Sequence, residues 1–111
     1  MGAKTFIIQS ESMGRGDEEL GKVLTTNFLR ILGESENRPS TIFLLNSGVK
    51  LACTGSAVLG HLKKLDQQGV EIFACSTCLD YFELKDKIVV GKPSTMGKAI
   101  QLMMNSETIC L

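Results

Sequence analysis

Short apolar runs alternate with amphipathic segments along the chain. The runs at 4–10, 41–47 and 70–75 are rich in β-branched and aromatic residues, and their apolar positions are continuous rather than alternating. Continuous apolar strands are typical of a sheet that is covered on both faces. Similar runs at 87–91 and 108–111 predict a fourth and a fifth strand.

Three amphipathic segments between these runs predict helices. In the first, at 17–33, Asp17 is the expected N-cap and Gly33 the expected end. Ser56 and Ser94 are the expected caps of the second and third helices. The side chains expected to face the core are Leu20, Val23, Leu24, Phe28 and Ile31 in the first helix, Leu59, Leu62 and Leu65 in the second, and Met96, Ala99, Ile100 and Met103 in the third.

The order of these elements predicts an α/β fold. Strands that alternate with helices, including one or two helical turns at 79–86, indicate a three-layer α/β/α sandwich. Its sheet is expected to be mainly parallel, with right-handed crossovers. The length of 111 residues is that of a single domain, so one domain over residues 1–111 is expected.

Composition and charge remove several classes of function. Twelve basic and twelve acidic residues cancel, which leaves no broad charge field for nucleic acid or a membrane surface. The apolar runs are far shorter than the ~20 residues of a membrane span, and the start "MGAKT" does not resemble a signal peptide. We therefore expect a soluble cytoplasmic protein that binds neither nucleic acid nor membranes.

Polar residues follow the carboxyl ends of the predicted strands, which is where ligands bind in such sheets. The segments concerned are Ser10 to Ser12, Asn46 to Gly48, Cys75 to Cys78, and Lys92 to Ser94. In a parallel sheet these segments share one edge, and Lys50 is close to it in sequence. The cysteine pair is therefore expected to lie among polar groups.

Nucleotide and metal sites fit this sequence poorly. The "GRG" at 14–16 does not continue into a phosphate-binding motif, and the next helix begins with acidic residues that repel phosphate. One C-x-x-C supplies only two ligands, whereas a structural zinc site needs about four, so no metal and no cofactor is expected. Cys53 and Cys110 are interpreted as small core residues, and His61 as a residue on the flank of its helix.

The motif Cys75-Ser76-Thr77-Cys78 is the candidate for chemistry. A thiol where a strand meets the start of a helix can have a lowered pKa and react as a nucleophile, and its neighbour can form a disulfide with it. Two inert buried cysteines are the alternative from residue type alone. Thioredoxin is disfavoured, since the pair lies in the third strand–helix unit and the chain lacks tryptophan.

Two segments carry a family resemblance. The turn "LLNSGVKLA" at 44–52 and the box "VEIFACSTCLDYFEL" at 70–84 resemble the DsrE-like sulfur-relay superfamily. The resemblance is greatest to the DsrE-like half of YedF-type proteins, which are described as selenium-metabolism sulfurtransferase-like. It extends to "GAKTFIIQSESMGRGDEELGKVL" and covers nearly the whole chain. It implies an α/β/α domain with a five-stranded sheet that assembles into homo- or hetero-oligomers.

The resemblance also implies site residues. In the relay members a cysteine directly after strand three carries sulfur as a persulfide, which corresponds to Cys75, whereas Cys78 belongs to the narrower YedF-type pattern. Relatives usually have glycine where this chain has Glu83, which predicts a different turn there. YedF-type proteins also carry a TusA-like domain that this chain lacks, so a stand-alone protein or a fragment is expected.

The leading hypothesis is a sulfur or selenium relay protein of sulfurtransferase-like type. Cys75 would attack a donor persulfide and pass the sulfur to a TusA-like or other partner, with Cys78 relaying or resolving it. The residues expected to bind around the sulfur are Asn46, Ser47, Gly48, Lys50, Ser76 and Thr77. One alternative is a non-catalytic oligomeric module that docks its partner through 100–104, whose methionines suit adaptable interfaces. Another is a thiol redox sensor.

Overall fold

The computed structural model describes residues 3–111 and divides them among strands, α-helices and two short 3-10 helices. The strands are β1 (Lys4–Ile8), β2 (Thr41–Leu44), β3 (Glu71–Cys75), β4 (Lys92–Ser94) and β5 (Glu107–Cys110). The α-helices are α1 (Glu18–Glu34), α2 (Leu59–Gln67), α3 (Ser76–Tyr81) and α4 (Met96–Asn105), and the 3-10 helices span Asn46–Ala52 and Lys85–Lys87.

The strands form one five-stranded sheet in the order β4-β3-β2-β1-β5, and every neighbouring pair is parallel. This confirms the predicted α/β architecture and its parallel sheet. The chain steps from β1 to β4 in one direction across the sheet and then returns to the opposite edge for β5. Right-handed crossovers in opposite directions place their helices on opposite faces.

Contacts from neighbouring residues of β1 identify which helix covers which face of the sheet. The ring of Phe6 lies 5.9 Å from that of Phe28 in α1. The adjacent Thr5 hydrogen-bonds at 2.7 Å to Ser106, the residue that ends α4. Because consecutive strand residues point to opposite faces, α1 and α4 lie on opposite sides of the sheet.

The fourth strand is not where the sequence predicted it. Residues 87–91 lie outside the sheet, and the strand follows them at Lys92–Ser94. Ile88 instead forms an isolated antiparallel bridge with Cys53, and Val90 is buried. An apolar run indicates burial but does not distinguish a strand from a packed loop segment, and this run is packed against the chain around Ala52.

Helix α1 presents a different face to the core from the one predicted. Four of its large apolar residues are exposed, whereas its buried residues are mostly small. The exposed residues are Leu20, Val23, Leu24 and Ile31, and the buried ones are Gly21, Thr25, Leu29 and Gly33. Small residues occupy the buried face because the 9–16 loop lies directly against this helix. A Cβ at Gly21 would overlap Ser12 of that loop. Thr25 also accepts a hydrogen bond from the N–H of Met13 at 3.1 Å.

Helix α4 differs from its prediction in the same way. Ala99 is its one fully buried residue, whereas Met96, Ile100 and Met103, which were expected inside, are exposed. Ala99 takes the inward position on α4, and the long apolar side chains point outward. In α2 the prediction holds better, since Leu62 and Leu65 are fully buried.

One of the three helix caps is the residue predicted from the sequence, and the other two are different residues. Asp17 caps α1 as predicted, accepting from the N–H of Leu20 at 2.8 Å, and the helix ends one residue beyond Gly33. Thr95 rather than Ser94 caps α4, because Ser94 is still paired in the sheet. Ser56 accepts from the N–H of Val58 in a local turn ahead of α2.

No helix within residues 3–111 is long and apolar enough to cross a lipid bilayer.

Candidate thiol site

The carboxyl ends of β1, β2 and β3 meet at one edge of the sheet, as the sequence predicted. The N–H of Leu45 donates to the carbonyl of Ile8 at 2.9 Å, which ties the start of the second loop to the end of β1. Ser47 accepts from the N–H of Glu11 at 3.3 Å, and its hydroxyl lies 3.4 Å from that of Ser10. Serines from two different loops are therefore brought into one cluster.

Gly48 permits this close approach of the 3-10 helix to β1. A Cβ at position 48 would overlap the carbonyl oxygen of Ile8, so any side chain would push the two segments apart. Two residues earlier, Asn46 adopts a positive φ of 51°, a conformation that asparagine tolerates better than most residues. Both residues thus shape the turn that faces the cysteine pair, and neither acts through a charged group.

The two cysteines lie on either side of the junction between β3 and α3. Cys75 is the last residue of β3, pairs with Ser94 of β4 and is only 1% exposed. Cys78 is on the first turn of α3 and is partly exposed. Both are free thiols. Ser76, which is partly exposed, and Thr77, which is exposed, occupy the helical turn between them.

The sulfur of Cys78 has polar neighbours on two sides. The backbone N–H of Asn46 donates to its Sγ at 3.1 Å. Burial is the largest influence on the pKa of the Cys78 thiol and raises it above its ordinary value. The hydrogen bond from Asn46 lowers this pKa, whereas the neighbouring Cys75 thiol raises it. The net direction is upward, which favours the neutral thiol in the resting protein.

Lys50, expected near the sulfur, contacts Glu11 and the ring of Phe82. Its Nζ lies 3.7 Å from a carboxylate oxygen of Glu11 and 4.5 Å from the centre of the Phe82 ring. Phe82 directly follows α3, so this contact joins the loop after β2 to the end of the cysteine-bearing helix. Nothing in the sequence pattern singles out Phe82, since an aromatic residue near a short helix is an ordinary core residue.

Glu83 ends α3 in a left-handed conformation with a φ of 57°. The N–H of Glu83 donates to the carbonyl of Asp80 at 3.1 Å, and the N–H of Leu84 donates to that of Leu79 at 2.8 Å. This pair of bonds is a Schellman motif, in which glycine normally occupies the left-handed position. The chain therefore forms a glycine-type turn with glutamate at the constrained position.

The remaining cysteines have different environments. Cys53 is buried and donates to the carbonyl of Val49 at 3.3 Å, in line with the predicted core role, and burial raises its pKa. Cys110 is exposed on the edge strand β5, so its predicted burial is wrong. Edge strands have a neighbour on one side only, which leaves their terminal residues open to solvent.

Within residues 3–111 no three potential metal ligands come together.

Fold and site together define a class of protein: a parallel α/β/α domain with two thiols at the carboxyl edge of its sheet. The family model described as "DsrE/DsrF-like family" matches residues 4–110 of the chain. The chain therefore belongs to the DsrE/DsrF-like family, which is consistent with the sulfur-relay superfamily suggested by its motifs. A search of the curated proteins gives no match.

Solved structures show the same fold at low sequence identity. The YchN protein from E. coli superimposes with a TM-score of 0.77 at 16% identity, with 100% of both chains covered. MTH1491 from Methanobacterium thermoautotrophicum, a protein of unknown function, gives 0.72 at 21% identity and 98% coverage of both chains. BT1422 from Bacteroides thetaiotaomicron, likewise of unknown function, gives 0.65 at 16% identity over 97% of this chain and 94% of that one. These likenesses establish the fold.

Proposed function

We propose that this protein is a cytoplasmic sulfur relay protein that holds sulfur, or selenium, on its Cys75–Cys78 pair. A thiolate of the pair attacks the outer sulfur of a donor persulfide. The donor leaves as a thiolate, and the relay protein keeps the sulfur as a persulfide that a partner's cysteine then accepts. The observation that carries the proposal is the pairing of two free thiols, one of them partly exposed, at the ligand-binding edge of the sheet.

The groups around the pair support this chemistry. The N–H of Asn46 already contacts Cys78 Sγ at 3.1 Å and stabilises negative charge on that sulfur. Ser47, Gly48 and Lys50 hold the Asn46 loop in place through Ser10, the end of β1 and Phe82. Ser76 and Thr77 form the solvent-facing turn that a docking partner meets first.

A partner with its own cysteine is part of the proposal. The motifs "LLNSGVKLA" and "VEIFACSTCLDYFEL" resemble the DsrE-like half of YedF-type proteins, in which a TusA-like domain supplies a second cysteine. A TusA-like sulfur-carrier protein is accordingly the proposed donor or acceptor.

The test is to load the protein and locate the sulfur. The reduced protein is incubated with a cysteine desulfurase and cysteine, and adducts are mapped by mass spectrometry. We expect one added sulfur atom on Cys75 or Cys78 and none on Cys110, which serves as an exposed reference thiol in the same chain. Loading of Cys110 alone, or the absence of both a sulfur adduct on the pair and a Cys75–Cys78 disulfide, would rule out a relay through the pair.

A second candidate function, docking without chemistry, rests on the exposed face of α4. Met96, Ile100, Met103 and Met104 all point outward on this helix, and Met104 is 80% exposed. The occupant we propose is a second copy of the chain, because a formal net charge of zero leaves no overall repulsion between copies. Spare methionines suit such an apolar contact.

Light scattering tests this surface. Changing Met103 and Met104 to Gln should lower the mass of the assembly, whereas changing the exposed Lys63 and Lys64 of α2 to Gln should not. An unchanged mass in the methionine variant would count against α4 as the interface. The Cys75→Ser, Cys78→Ser double variant separates the two functions, since a docking module keeps its partner binding and a relay loses sulfur transfer.

A further inference from the structure

The two thiols differ in access from solvent. Cys75 is 1% exposed at the end of β3, between the neighbouring strands β2 and β4. Cys78 is partly exposed on the first turn of α3. A persulfide on another protein needs a collinear approach to the sulfur that attacks it. Cys78 is partly exposed and allows that approach, whereas Cys75 is buried and does not.

The sulfur of Cys78 also has a backbone donor beside it, which partly offsets the burial that raises the pKa of this thiol. The N–H of Asn46 lies 3.1 Å from it and comes from a loop whose shape is fixed by Gly48 against β1. A backbone donor in a fixed loop stabilises a thiolate without having to reorganise when the thiolate forms. This donor contacts the sulfur that solvent also reaches.

Cys75 approaches the same sulfur from the interior. Cys75 is the residue immediately before α3, three positions from Cys78, and its thiol contributes to the raised pKa of Cys78. Residues three apart at the start of a helix are neighbours on its surface, which is the arrangement that permits C-x-x-C pairs to form disulfides. Cys78 is therefore partly exposed to solvent and has a second, buried thiol three positions before it.

We propose that Cys78 receives the sulfur and that Cys75 then displaces it as hydrogen sulfide by forming a Cys75–Cys78 disulfide. This inference rests on the proposed relay function and gives the pair an additional activity, the reductive release of sulfide. It also reverses the roles expected from the family resemblance, in which Cys75 is the carrier.

The reaction balances in two steps. In the first, the Cys78 thiolate attacks the outer sulfur of the donor persulfide, the donor leaves as a thiolate, and Cys78 becomes a persulfide. In the second, the sulfur of Cys75 attacks Cys78 Sγ, and the bond from Sγ to the outer sulfur breaks. The two cysteines are oxidised by two electrons, the outer sulfur is reduced to sulfide, and the proton of Cys75 leaves with it as hydrogen sulfide. A dithiol reductant resets the pair.

The experiment uses a desulfurase persulfide that has been freed of cysteine and of other thiols. It is mixed with the reduced full chain, released sulfide is measured with a fluorescent probe, and sulfur adducts are mapped by mass spectrometry. The wild type should release about one sulfide per chain and end as the Cys75–Cys78 disulfide. Cys110→Ala is the matched control and should behave as the wild type does.

The two single variants separate the roles. Cys75→Ala should keep the persulfide on Cys78 and release sulfide at least about tenfold more slowly, because the attacking thiol is gone. Cys78→Ala should take up sulfur at least about tenfold more slowly, because the remaining thiol is buried. Cys75→Ser, which preserves volume better, should reproduce the Cys75→Ala result and so exclude a folding defect.

The outcomes distinguish a failure of this inference from a failure of the relay function on which it rests. If Cys75 of the Cys78→Ala variant takes up sulfur at the wild-type rate, the inference is wrong, but the relay function is still supported. Sulfide release from Cys75→Ala at the wild-type rate also overturns the inference. The absence of sulfur from both cysteines in every variant overturns the relay function itself.

Discussion

The backbone N–H of Asn46 donates a 3.1 Å hydrogen bond to the Sγ of Cys78, across 32 positions of sequence. The contact exists because β2 and β3 are parallel neighbours whose carboxyl ends lie side by side. Asn46 holds its N–H in this direction by adopting a positive φ of 51°. The backbone conformation of Asn46, after β2, thus lowers the pKa of a thiol on α3 against the larger effect of burial.

Changing Asn46 should therefore alter the reactivity of Cys78. Asn46→Val disfavours the positive φ and should move the N–H away from the sulfur, which removes the one contact that lowers the pKa of Cys78. Alkylation of Cys78 at about pH 8 should slow by roughly tenfold for each unit of pKa gained. Mass spectrometry of the alkylated peptides measures the rate, with Cys110 as the internal reference.

Asn46→Gly is the matched control for that variant. Glycine adopts positive φ readily and keeps the N–H, so the alkylation rate of Cys78 should stay close to that of the wild type. Equal slowing in the glycine and valine variants would mean that the asparagine side chain, rather than the backbone N–H, governs the thiol.

Gly48→Ala should destabilise the protein. The new Cβ overlaps the carbonyl oxygen of Ile8, and relieving such overpacking costs about 1–3 kcal/mol of unfolding free energy. Gly60→Ala is the matched control, because its Cβ meets nothing within 4 Å on the exposed side of α2. That change should stabilise the helix by about 0.5–1 kcal/mol. Urea unfolding measures both, and a Gly48→Ala protein as stable as the wild type would contradict the close approach.

Glu83→Gly should stabilise the protein. A left-handed conformation costs a residue with a side chain about 1–2 kcal/mol, which exceeds the entropic cost of ~0.5–1 kcal/mol for introducing glycine. A net gain of about 0.5–1 kcal/mol in unfolding free energy is expected. Glu83→Ala removes the same carboxylate but keeps the Cβ, so it should bring no gain. If alanine stabilised as much as glycine, charge rather than backbone strain would be responsible.

The orientation of α1 can be tested with a pair of leucines from the same helix. Leu29 is fully buried and Leu24 is 44% exposed. Leu29→Ala should lower the unfolding free energy by about 2–5 kcal/mol, whereas Leu24→Ala should change it by no more than about 0.5 kcal/mol. The hydrophobic pattern alone predicts the opposite for Leu24, so urea unfolding of the two variants decides between the two faces.

Stability should fall in alkaline solution partly because of Cys53. Burial raises the pKa of this thiol in the folded protein, so the folded state holds the proton more tightly than the unfolded chain does. The resulting stabilisation is complete below the ordinary thiol pKa of ~8.5 and is lost as the pH rises through the raised folded value. Unfolding free energies measured between about pH 7 and pH 10 should decline less steeply for Cys53→Ala than for the wild type. Equal slopes would contradict the prediction.

The sequence by itself determined the class of fold and the edge of the sheet on which the candidate thiols lie. Continuous apolar strands that alternate with helices leave a parallel α/β/α sheet as the consistent arrangement. In such a sheet the segments after β1, β2 and β3 must share one edge, whatever their exact contacts. The cap at Asp17 was also readable from the sequence, because capping depends on residues within one turn of each other.

Only the tertiary structure decided which face of α1 and α4 is buried and which thiol solvent reaches. Large apolar side chains mark a helix as amphipathic, but close packing against a sheet or loop favours small residues, and here Gly21 and Ala99 take the inward positions. The same holds for Cys75 and Cys78, which look equivalent in a C-x-x-C motif. Their difference in exposure, and the N–H that Asn46 provides to one of them, arise from strands that are distant in sequence. Local pattern cannot encode those contacts, because they depend on how the sheet aligns its neighbours.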